Sequence, residues 1–444
     1  MTKFPRSIDS GTVESSLVIA ILIFAGKSNR FWPLAEKNFF PIFGTTLLAR
    51  QVEKLKAAGF QEILMVGGKH NVKQARRLFP KMKILIQSEK ETGMRGALLA
   101  ALPRCKKESV LVVSTNDIIH ESAFTILRTQ GTQRREGGLI LAKKVKTYFP
   151  GGYLKTKGKR IVSIVEKPGE GKEPSNLVNI VAHVHRDASV LLAALKKVKG
   201  NADDGYEQAL DTLCKEFPYE AVAYAGHWQA VKYPWHLLDL LESIIPPVKE
   251  PLIPKSCTIH KTAVIEGAVV LGEGVRVMAH ATIVGPCFIG KDSVIGNNAL
   301  VRGSSVGERC IIGYNTEIAR SVLADDVWTH SSYVGDSVLA SNVSLAAGTV
   351  TGNLRLDEEL IASVVQGKKI PTQRQKFGAI LGQYCRTGIH TCLLPGVKVG
   401  PGSFMSSGSI VSMDIPDGSF LKDGVIRENR FVSETDRASF RRKL

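Results

Sequence analysis

One segment of the chain, residues 271–301, reads LGEGVRVMAHATIVGPCFIGKDSVIGNNALV. It carries an aliphatic side chain at every sixth position, and the same register returns near the end of the chain. The series comprises Leu271, Val277, Ile283, Ile289, Ile295 and Val301, then Val306, Ile312 and Ile318 one residue out of step, and later Leu381, Leu393, Val399, Met405 and Val411. A period of six fits neither an α-helix nor a single alternating strand. It predicts a solenoid in which each short strand forms one side of a coil and points one aliphatic side chain inward.

Glycine follows many of these aliphatic residues, as in Ile289-Gly290 and Ile295-Gly296. Because glycine tolerates positive φ and close backbone approach, we expect it to form the corners of the coil. The pattern resembles the hexapeptide repeat of left-handed parallel β-helix acyltransferases. An inert spacer with the same repeat is the structural alternative. The repeat begins near Thr258 and is interrupted from about Leu354 to Lys376, where a charged segment leaves the coil, either as a disordered insertion or as part of a subunit interface.

Composition narrows the class of protein. The chain has 444 residues, 44% of them hydrophobic, and a mean hydropathy of +0.01, which suits two or three soluble domains. The apolar run Leu17 to Ala25 is too short to span a membrane and follows Asp9 and Glu14, so it predicts a buried strand and neither a membrane anchor nor a secretion signal. Seven scattered cysteines without a CxxC pair favour reduced thiols in a cytoplasm.

The formal net charge of +18 raises the question of nucleic-acid binding. The basic residues are spread along the chain, and no helix-turn-helix, zinc-finger or RNP pattern accompanies them. We therefore expect no nucleic-acid partner, and attribute the charge to attraction of phosphorylated small molecules or to a solvated face.

The first half of the chain alternates short apolar runs with amphipathic stretches. The apolar runs are Leu17–Ala25, Glu62–Val66, Lys83–Ile86, Val110–Ser114, Gly138–Lys143, Ile161–Glu166 and Val178–Val184. The stretches between them have helical spacing, so a Rossmann-like α/β sheet, parallel or mixed, with helices on its faces is predicted. The predicted divisions are an extension (1–15), an α/β domain (16–245), a proline-rich linker (246–257), a coil (258–424) and a basic tail (425–444).

A turn rich in small and basic residues follows the first predicted strand. It reads FAGKSNRFWPL, residues 24–34, and Lys37 follows shortly after. A turn at the carboxyl end of a strand presents backbone N–H groups to an anion, and Arg30 and Lys37 add positive charge there. This pattern predicts a site for a pyrophosphate group near Gly26.

The string resembles the signature of sugar-1-phosphate nucleotidylyltransferases, and further matches follow in the family's order. They are Gly93 with Gly96-Ala97, Asn116-Asp117, Glu166-Lys167-Pro168, Asn179, Tyr206-Glu207 and Gly226-x-Trp228. The resemblance implies that Arg30 and Lys37 hold a nucleoside triphosphate and that Gly93 lies at the base. It also implies that Asp117 binds Mg²⁺ and that Glu166, Lys167 and Asn179 contact the sugar phosphate. Such a reaction needs charge neutralisation and in-line positioning more than covalent catalysis.

Four departures from the family pattern bear on activity. Ser28 and Asn29 replace Gly and Thr of the signature, and Met94-Arg95 replaces Thr-Ala in the turn at the base. Ala230 stands where the family has a second metal-binding Asp, and an alanine cannot coordinate Mg²⁺. The domain is therefore either an active nucleotidylyltransferase or a degenerate one.

The stretch THSSYVGD, residues 329–336, resembles the catalytic segment of the acetyltransferase half of bifunctional enzymes that also carry this nucleotidylyltransferase domain, most closely of the archaeal type. The resemblance implies that His330 is the general base for attack of an amine on acetyl-CoA. Tyr333 and Asn353 would hold the sugar phosphate, Arg302 would supply a cation, and Ala379 would contact acetyl-CoA. It also implies a homotrimer with the cofactor between neighbouring coils.

Three hypotheses follow. The first is an enzyme of nucleotide-sugar biosynthesis, producing a compound such as UDP-N-acetylglucosamine from acetyl-CoA, a hexosamine 1-phosphate and a nucleoside triphosphate, with UTP or dTTP favoured. The second is an acetyltransferase with a non-catalytic first domain. The third is a non-catalytic regulatory subunit that binds a nucleotide sugar. Retention of Arg30, Lys37, Asp117 and His330 argues against the third hypothesis, and Ala230 favours the second over the first.

Overall fold

A computed structural model describes residues 18–91, 93–200, 204–244 and 248–430. The chain folds into two compact units. The first comprises the chain up to Gly26 together with Gln51–Trp228, and the second comprises Lys27–Arg50 together with the chain from Gln229 onward. The predicted extension and most of the predicted tail lie outside the described residues, as does Pro246-Pro247 of the predicted linker. Over the described residues, no helix is long and apolar enough to cross a membrane.

The first half of the chain contains seven α-helices and thirteen strands in its described part. The helices are α1 Leu47–Ala57, α2 Val72–Leu78, α3 Gly93–Ala101, α4 Glu121–Thr132, α5 Ala188–Lys197, α6 Gly205–Glu216 and α7 His236–Ser243. The strands are β1 Val18–Ile23, β2 Pro41–Ile42, β3 Thr45–Thr46, β4 Ile63–Gly67, β5 Lys83–Ile86, β6 Ser109–Ser114, β7 Asp117–Ile119, β8 Gly138–Lys144, β9 Gly152–Lys157, β10 Arg160–Glu166, β11 Leu177–His185, β12 Tyr219–Ala223 and β13 Trp228–Ala230.

Nine of these strands form one sheet in the order β5-β4-β1-β6-β11-β8-β12-β10-β9. The sheet is mixed, as the prediction of a parallel or mixed sheet allows: β5, β4, β1 and β6 are parallel to one another, and β12 is parallel to β8. Strand β11 runs antiparallel to both β6 and β8, and β9 and β10 form an antiparallel hairpin. Only Gly158 and Lys159 connect β9 to β10, and so short a link cannot make the crossover that parallel strands need.

The carboxyl edge of the parallel strands positions the first candidate site. Strand β1 is buried along its whole length, as expected of a strand covered on both faces. It pairs with β6 so that Ile23 lies opposite Ser114. The turn that reaches Gly26 and the turn that reaches Asp117 therefore leave the sheet at the same edge.

The second half of the chain is built of short strands. They are β14 Thr258–Ile259, β15 Val264–Glu266, β16 Val269–Leu271, β17 Arg276–Val277, β18 Thr282–Val284, β19 Cys287–Ile289, β20 Val294–Ile295, β21 Leu300–Arg302, β22 Ser305–Val306, β23 Ile311–Ile312, β24 Glu317–Ala319, β25 Val322–Leu323, β26 Trp328–Thr329, β27 Tyr333–Gly335, β28 Val338–Leu339, β29 Ser344–Leu345, β30 Val350–Thr351, β31 Ile361–Val365, β32 Lys368–Arg374, β33 Ile380–Leu381, β34 Arg386–Thr387, β35 Cys392–Leu393, β36 Lys398–Val399, β37 Phe404–Met405, β38 Ile410–Val411, β39 Ser419–Lys422 and β40 Val425–Glu428.

From β14 onward, apart from the β31–β32 pair, the strands belong to three sheets, and consecutive strands mostly lie in different sheets. The stacked strands within each sheet are mostly parallel, which is consistent with a parallel β-helix. The number of residues in each turn of the coil explains why the aliphatic series shifts by one residue after Val301. Ile283 pairs with Val301 eighteen residues on, Val301 with Ile318 seventeen residues on, and Ile318 with Val334 sixteen residues on. The inward aliphatic side chains are buried in one continuous core, as predicted.

The glycines of the repeat serve close approach and not positive φ. A Cβ added to Gly290 would lie 2.4 Å from the carbonyl carbon of Gly307, and one added to Gly296 would lie 2.8 Å from that of Gly313. The left-handed residues are others, such as Asn298 and Asn315, with φ of 58° and 52°. Asparagine tolerates this conformation better than most residues. The predicted role of glycine is thus correct for packing between turns and wrong for these corners.

The interruption of the repeat leaves the coil as predicted, but as an antiparallel hairpin. Strands β31 and β32 pair with each other, and a bridge between Leu354 and Lys376 closes the base of the excursion. The coil continues beneath it, since β28 pairs directly with β33. Ile361 is only 2% exposed. The alternative of a disordered insertion is therefore wrong.

Candidate active sites

The turn after β1 is organised by a carboxylate that the sequence analysis did not single out. Glu36 Oε1 accepts hydrogen bonds from Ser28 Oγ at 2.8 Å and from Asn38 Nδ2 at 2.8 Å. The backbone N–H of Lys37 donates to Ser28 Oγ at 3.4 Å. Ser28, which replaces a glycine of the family pattern, therefore ties the turn to Glu36. Side-chain hydrogen bonds of this kind hold a polar turn in one conformation.

The predicted phosphate ligands lie in this turn or directly before it. Gly26 is exposed, and a Cβ added there would meet no atom within 4 Å, so its backbone is open to a ligand. Arg30 is exposed, and its guanidinium carbon lies 5.9 Å from the centre of the Tyr233 ring. Such a stack restrains the guanidinium while leaving its N–H groups available for an anion.

Asp117, the predicted metal ligand, is 9% exposed. Its Oδ1 accepts a hydrogen bond from Trp228 Nε1 at 2.8 Å, and its backbone carbonyl accepts one from Gln51 Nε2 at 2.7 Å. Trp228 belongs to the closing motif of the family, and the sequence carries no signal that it contacts Asp117. Within the described ranges there is no group of three or more His, Cys, Asp or Glu residues able to hold a metal ion.

The turn at the predicted base site begins α3. Gly93 has φ of +60° and Gly96 faces the backbone of Glu91, since an added Cβ would lie 2.8 Å from its carbonyl oxygen. Arg95 points elsewhere: its Nε donates to the Leu195 carbonyl at 3.1 Å and its Nη2 to the Val198 carbonyl at 3.4 Å. Because these carbonyls end α5, Arg95 serves as a cationic cap of that helix and not as a contact to a base.

The predicted sugar-phosphate ligands converge on Gly152. A Cβ at Gly152 would lie 2.9 Å from Asn179 Oδ1 and 3.0 Å from Glu166 Oε2. Lys167 Nζ lies 3.2 Å from Glu166 Oε1, and its own backbone has φ of 44°. The structure thus brings together Glu166 and Lys167 of β10 and the turn after it with Asn179 of β11, around a position where only glycine fits.

His330, the predicted base, occupies a corner of the coil between β26 and β27. It is exposed, while its backbone is held because Ser332 Oγ donates to the His330 carbonyl at 2.9 Å and Ser331 N donates to the Tyr314 carbonyl at 3.0 Å. Ser331 has φ of 41°, so the corner itself is left-handed. The corner thus presents the imidazole to solvent from a backbone that is fixed on both sides.

Tyr333, Asp336, Asn353 and Arg320 form one hydrogen-bonded group, which we call the aspartate network. Asn353 Nδ2 donates to Tyr333 Oη at 3.2 Å and to Asp336 Oδ2 at 2.5 Å. Asp336 is 1% exposed and also accepts from Arg320, by Nε to Oδ1 at 2.8 Å and by Nη2 to Oδ2 at 2.6 Å. These bonds and the nearby carboxylate raise the pKa of Arg320 further, so the guanidinium stays charged. Gly335 leaves room for the group, since a Cβ there would lie 2.5 Å from Tyr333 Oη.

Arg320 is the fourth member of the aspartate network and was missed by the sequence analysis. The signal is its distance of sixteen residues from Asp336, which equals one turn of the coil at that point. Arg302, the predicted cation, is instead engaged one turn away: its Nη2 lies 2.7 Å from Glu317 Oε1, with 39% of its side chain exposed. The structure therefore offers two arginines near the predicted sugar site, each already paired with a carboxylate.

The position of Ala379 is at odds with its predicted contact to acetyl-CoA. Ala379 is 0% exposed and belongs to the core of the coil. Its N–H donates to Ser337 Oγ at 3.0 Å, and its carbonyl accepts from the Val338 N–H at 3.0 Å. No atom of this residue is left at the surface for a cofactor, because the inward register of the repeat takes it into the core.

Comparisons with known proteins match the α/β half and the coil half of the chain to different family models. A family model described as the MobA-like NTP transferase domain matches residues 20–245, and one described as the GMPPB C-terminal domain matches residues 247–357. A protein of Sulfurisphaera tokodaii named bifunctional sugar-1-phosphate nucleotidylyltransferase/acetyltransferase is 28% identical over 91% of this chain and 99% of its own. A bifunctional protein GlmU of Methanococcus vannielii is 30% identical over 93% of this chain and 99% of its own, and one of Bartonella quintana is 23% identical over 90% and 93%.

The chain belongs to the family of bifunctional sugar-1-phosphate nucleotidylyltransferase/acetyltransferases. The predicted resemblance is therefore confirmed, and so is the prediction of a transferase.

Proposed function

We propose that this chain catalyses two consecutive reactions of nucleotide-sugar synthesis. The coil, which we infer to be a left-handed β-helix over about residues 258–424, transfers an acetyl group from acetyl-CoA to the amine of a hexosamine 1-phosphate. The α/β region, residues 16–245, then transfers a nucleotidyl group from UTP or dTTP to the acetylated sugar 1-phosphate. We propose a cytoplasmic homotrimer.

The aspartate network, whose Tyr333 follows His330 by three residues in the chain, is the observation that carries the acetyl-transfer proposal. An amine attacks a thioester only as the free base, so a group must accept the ammonium proton, and an exposed imidazole suits that task near neutral pH. Asp336 holds the amide of Asn353, and that amide donates to Tyr333 Oη, so both groups are fixed as groups that position a substrate need to be. Arg320 and Arg302, whose side chains are 32% and 39% exposed, would offer their remaining N–H groups to the sugar phosphate.

Nucleotidyl transfer would proceed by in-line attack of a sugar phosphate oxygen on the α-phosphorus, with pyrophosphate leaving. Arg30 and Lys37 would hold the triphosphate, and Glu166, Lys167 and Asn179 the sugar phosphate. A bound Mg²⁺ would supply charge neutralisation, and the carboxylate of Asp117 is an oxygen ligand of the kind that it prefers. Since no cluster of three metal-binding side chains exists in the described residues, phosphate oxygens would complete the coordination.

A second candidate function has a specific observation in its favour. Ala230, at the position of a second metal ligand in the family pattern, is 8% exposed and offers no side-chain oxygen. An acetyltransferase whose first domain has lost catalysis is therefore the alternative.

One experiment tests both. The protein is incubated with acetyl-CoA, a panel of hexosamine 1-phosphates and a panel of nucleoside triphosphates, and release of thiol and of pyrophosphate is followed separately. We expect both products, and His330→Ala should lower thiol release about 10²- to 10⁴-fold. Thiol without pyrophosphate would favour the alternative. Equal thiol release by wild type and variant would remove His330 from the mechanism.

A further inference from the structure

The second unit buries a lysine that neither proposed reaction uses. Lys398, on β36, is 1% exposed. Its Nζ donates to Ser363 Oγ at 3.1 Å, to the Val364 carbonyl at 2.5 Å and to Asp414 Oδ2 at 2.5 Å. Burial lowers the pKa of this ammonium, and Asp414 opposes that shift. A buried ammonium is stable only when acceptors replace the water it has lost, so removal of any of these three partners would destabilise the fold.

Trp32 provides a fourth contact to this ammonium. Lys398 Nζ lies 5.3 Å from the centre of the Trp32 ring. The indole Nε1 of the same residue donates to Asp417 Oδ1 at 2.7 Å. Trp32 is thus held through its ring face and its N–H by two residues of the last turns of the coil, Lys398 and Asp417.

Trp32 lies two residues beyond Arg30 in the turn after β1. The same segment is fixed to the coil at a second point: Phe43 N donates to Ser305 Oγ at 2.8 Å. Gly44 packs so tightly on the ring of Phe288 that a Cβ would lie 2.5 Å from it. Residues 27–50 are therefore anchored to the coil both at Trp32 and at the β2–β3 hairpin.

We propose that Lys398 is a positioning residue for nucleotidyl transfer, acting through Trp32 on the turn that carries Arg30. This assignment rests on the function proposed above. A phosphate ligand displaced by about 1 Å costs up to ~10²-fold in rate, so the anchoring of a short turn is enough to control its activity. The final coil turns, which lie in the acetyltransferase part of the chain, thereby support the other reaction.

The test compares Lys398→Met with Lys291→Met, a matched variant of an exposed lysine on the same coil. Methionine keeps most of the apolar stem and removes the ammonium. For each protein, kcat and KM for the nucleoside triphosphate, the rate of acetyl transfer and the midpoint of thermal unfolding are measured. We expect Lys398→Met to lower kcat/KM for the triphosphate ~10- to 100-fold, mainly through KM, with acetyl transfer changed by less than about twofold. Lys398→Arg should restore part of the loss.

Asp417→Ala provides a second route that does not disturb a buried group, because Asp417 is exposed and accepts the indole N–H. Like Lys398→Met, it should raise KM for the nucleoside triphosphate. It replaces Lys398→Met as the test if that variant does not fold. Unchanged KM in both variants of an active enzyme overturns the positioning role alone. Equal loss of both activities, in step with the unfolding midpoint, overturns it too, because that is the mark of general destabilisation. Absence of nucleotidyl transfer in the wild type refutes the proposed function and this inference together.

Discussion

Asp336→Asn is the change that probes the aspartate network most directly. Asparagine has the same shape, and it tolerates the φ of 47° at this position, so the backbone is not strained. Oδ1 of Asp336 accepts one hydrogen bond from Arg320, while Oδ2 accepts one from Arg320 and one from Asn353. Whichever way the new amide is turned, its NH₂ group faces at least one donor. At least one of the three bonds is therefore lost, and the remaining bonds lose a charged acceptor.

The magnitude follows from these contacts. A hydrogen bond to a charged group contributes about 1.5–3 kcal/mol, and the 32% exposure of the Arg320 side chain places this one near the lower end, at about 2 kcal/mol. We expect the free energy of unfolding to fall by about that amount. Because Asn353 and Tyr333 lose their fixed positions, kcat/KM for the sugar phosphate should fall ~10- to 30-fold, the same free energy converted at 1.36 kcal/mol per tenfold.

The assay is thiol release from acetyl-CoA at varied sugar phosphate, together with urea unfolding. Asp326→Asn is the matched control, since Asp326 accepts from Arg309 at 3.0 and 2.9 Å in a similar fork but lies outside the aspartate network. It should cost stability and leave acetyl-transfer kinetics unchanged. Wild-type kinetics in Asp336→Asn, alongside reduced stability, would show that the network only stabilises the coil and that our reasoning about the site is wrong.

Three further predictions concern the rest of the chain. If Ala230 weakens the metal site, Ala230→Asp should raise pyrophosphate release ~10-fold, about 1.4 kcal/mol of barrier, while vigorous wild-type turnover unaffected by Asp117→Ala would show that the metal is misplaced. Sedimentation at micromolar concentration should give a trimer, and a stable monomer with full acetyltransferase activity would contradict it. Burial lowers the pKa of His183 and His185 to about 3, so in the folded state both stay neutral well below their unfolded pKa of about 6.5. Stability should be complete above pH 6.5 and fall by about 1.4 kcal/mol per pH unit and histidine toward pH 3, as urea unfolding at pH 7 and 5 would reveal; a flat profile would refute it.

The six-residue repeat and the ordered motifs are enough to predict the coil, most of the helices and strands, and the family. An aliphatic residue every sixth position has no other common explanation, and pairing of Ile283 with Val301 realises it directly. The ordered motifs from Gly26 to Asn353 likewise pointed to both candidate sites. This is possible because a motif such as residues 329–336 is a continuous segment, which can be recognised without knowing the fold. Glu166 and Asn179, which separate motifs assign to one site, both lie beside Gly152.

The remaining features appear only in the folded chain, because they depend on which residues meet across long separations. The place of β11 between β6 and β8 makes the sheet mixed, and no local pattern encodes it. Arg320 becomes part of a site only when one turn of the coil lies on the next, and Ala379 leaves the surface for the same reason. Trp32 and Asp417 are 385 residues apart, yet their hydrogen bond fixes the turn that carries Arg30. Hydrophobic periodicity is a property of neighbouring residues and can be seen in the sequence. The partners of polar side chains depend on the folded geometry and cannot.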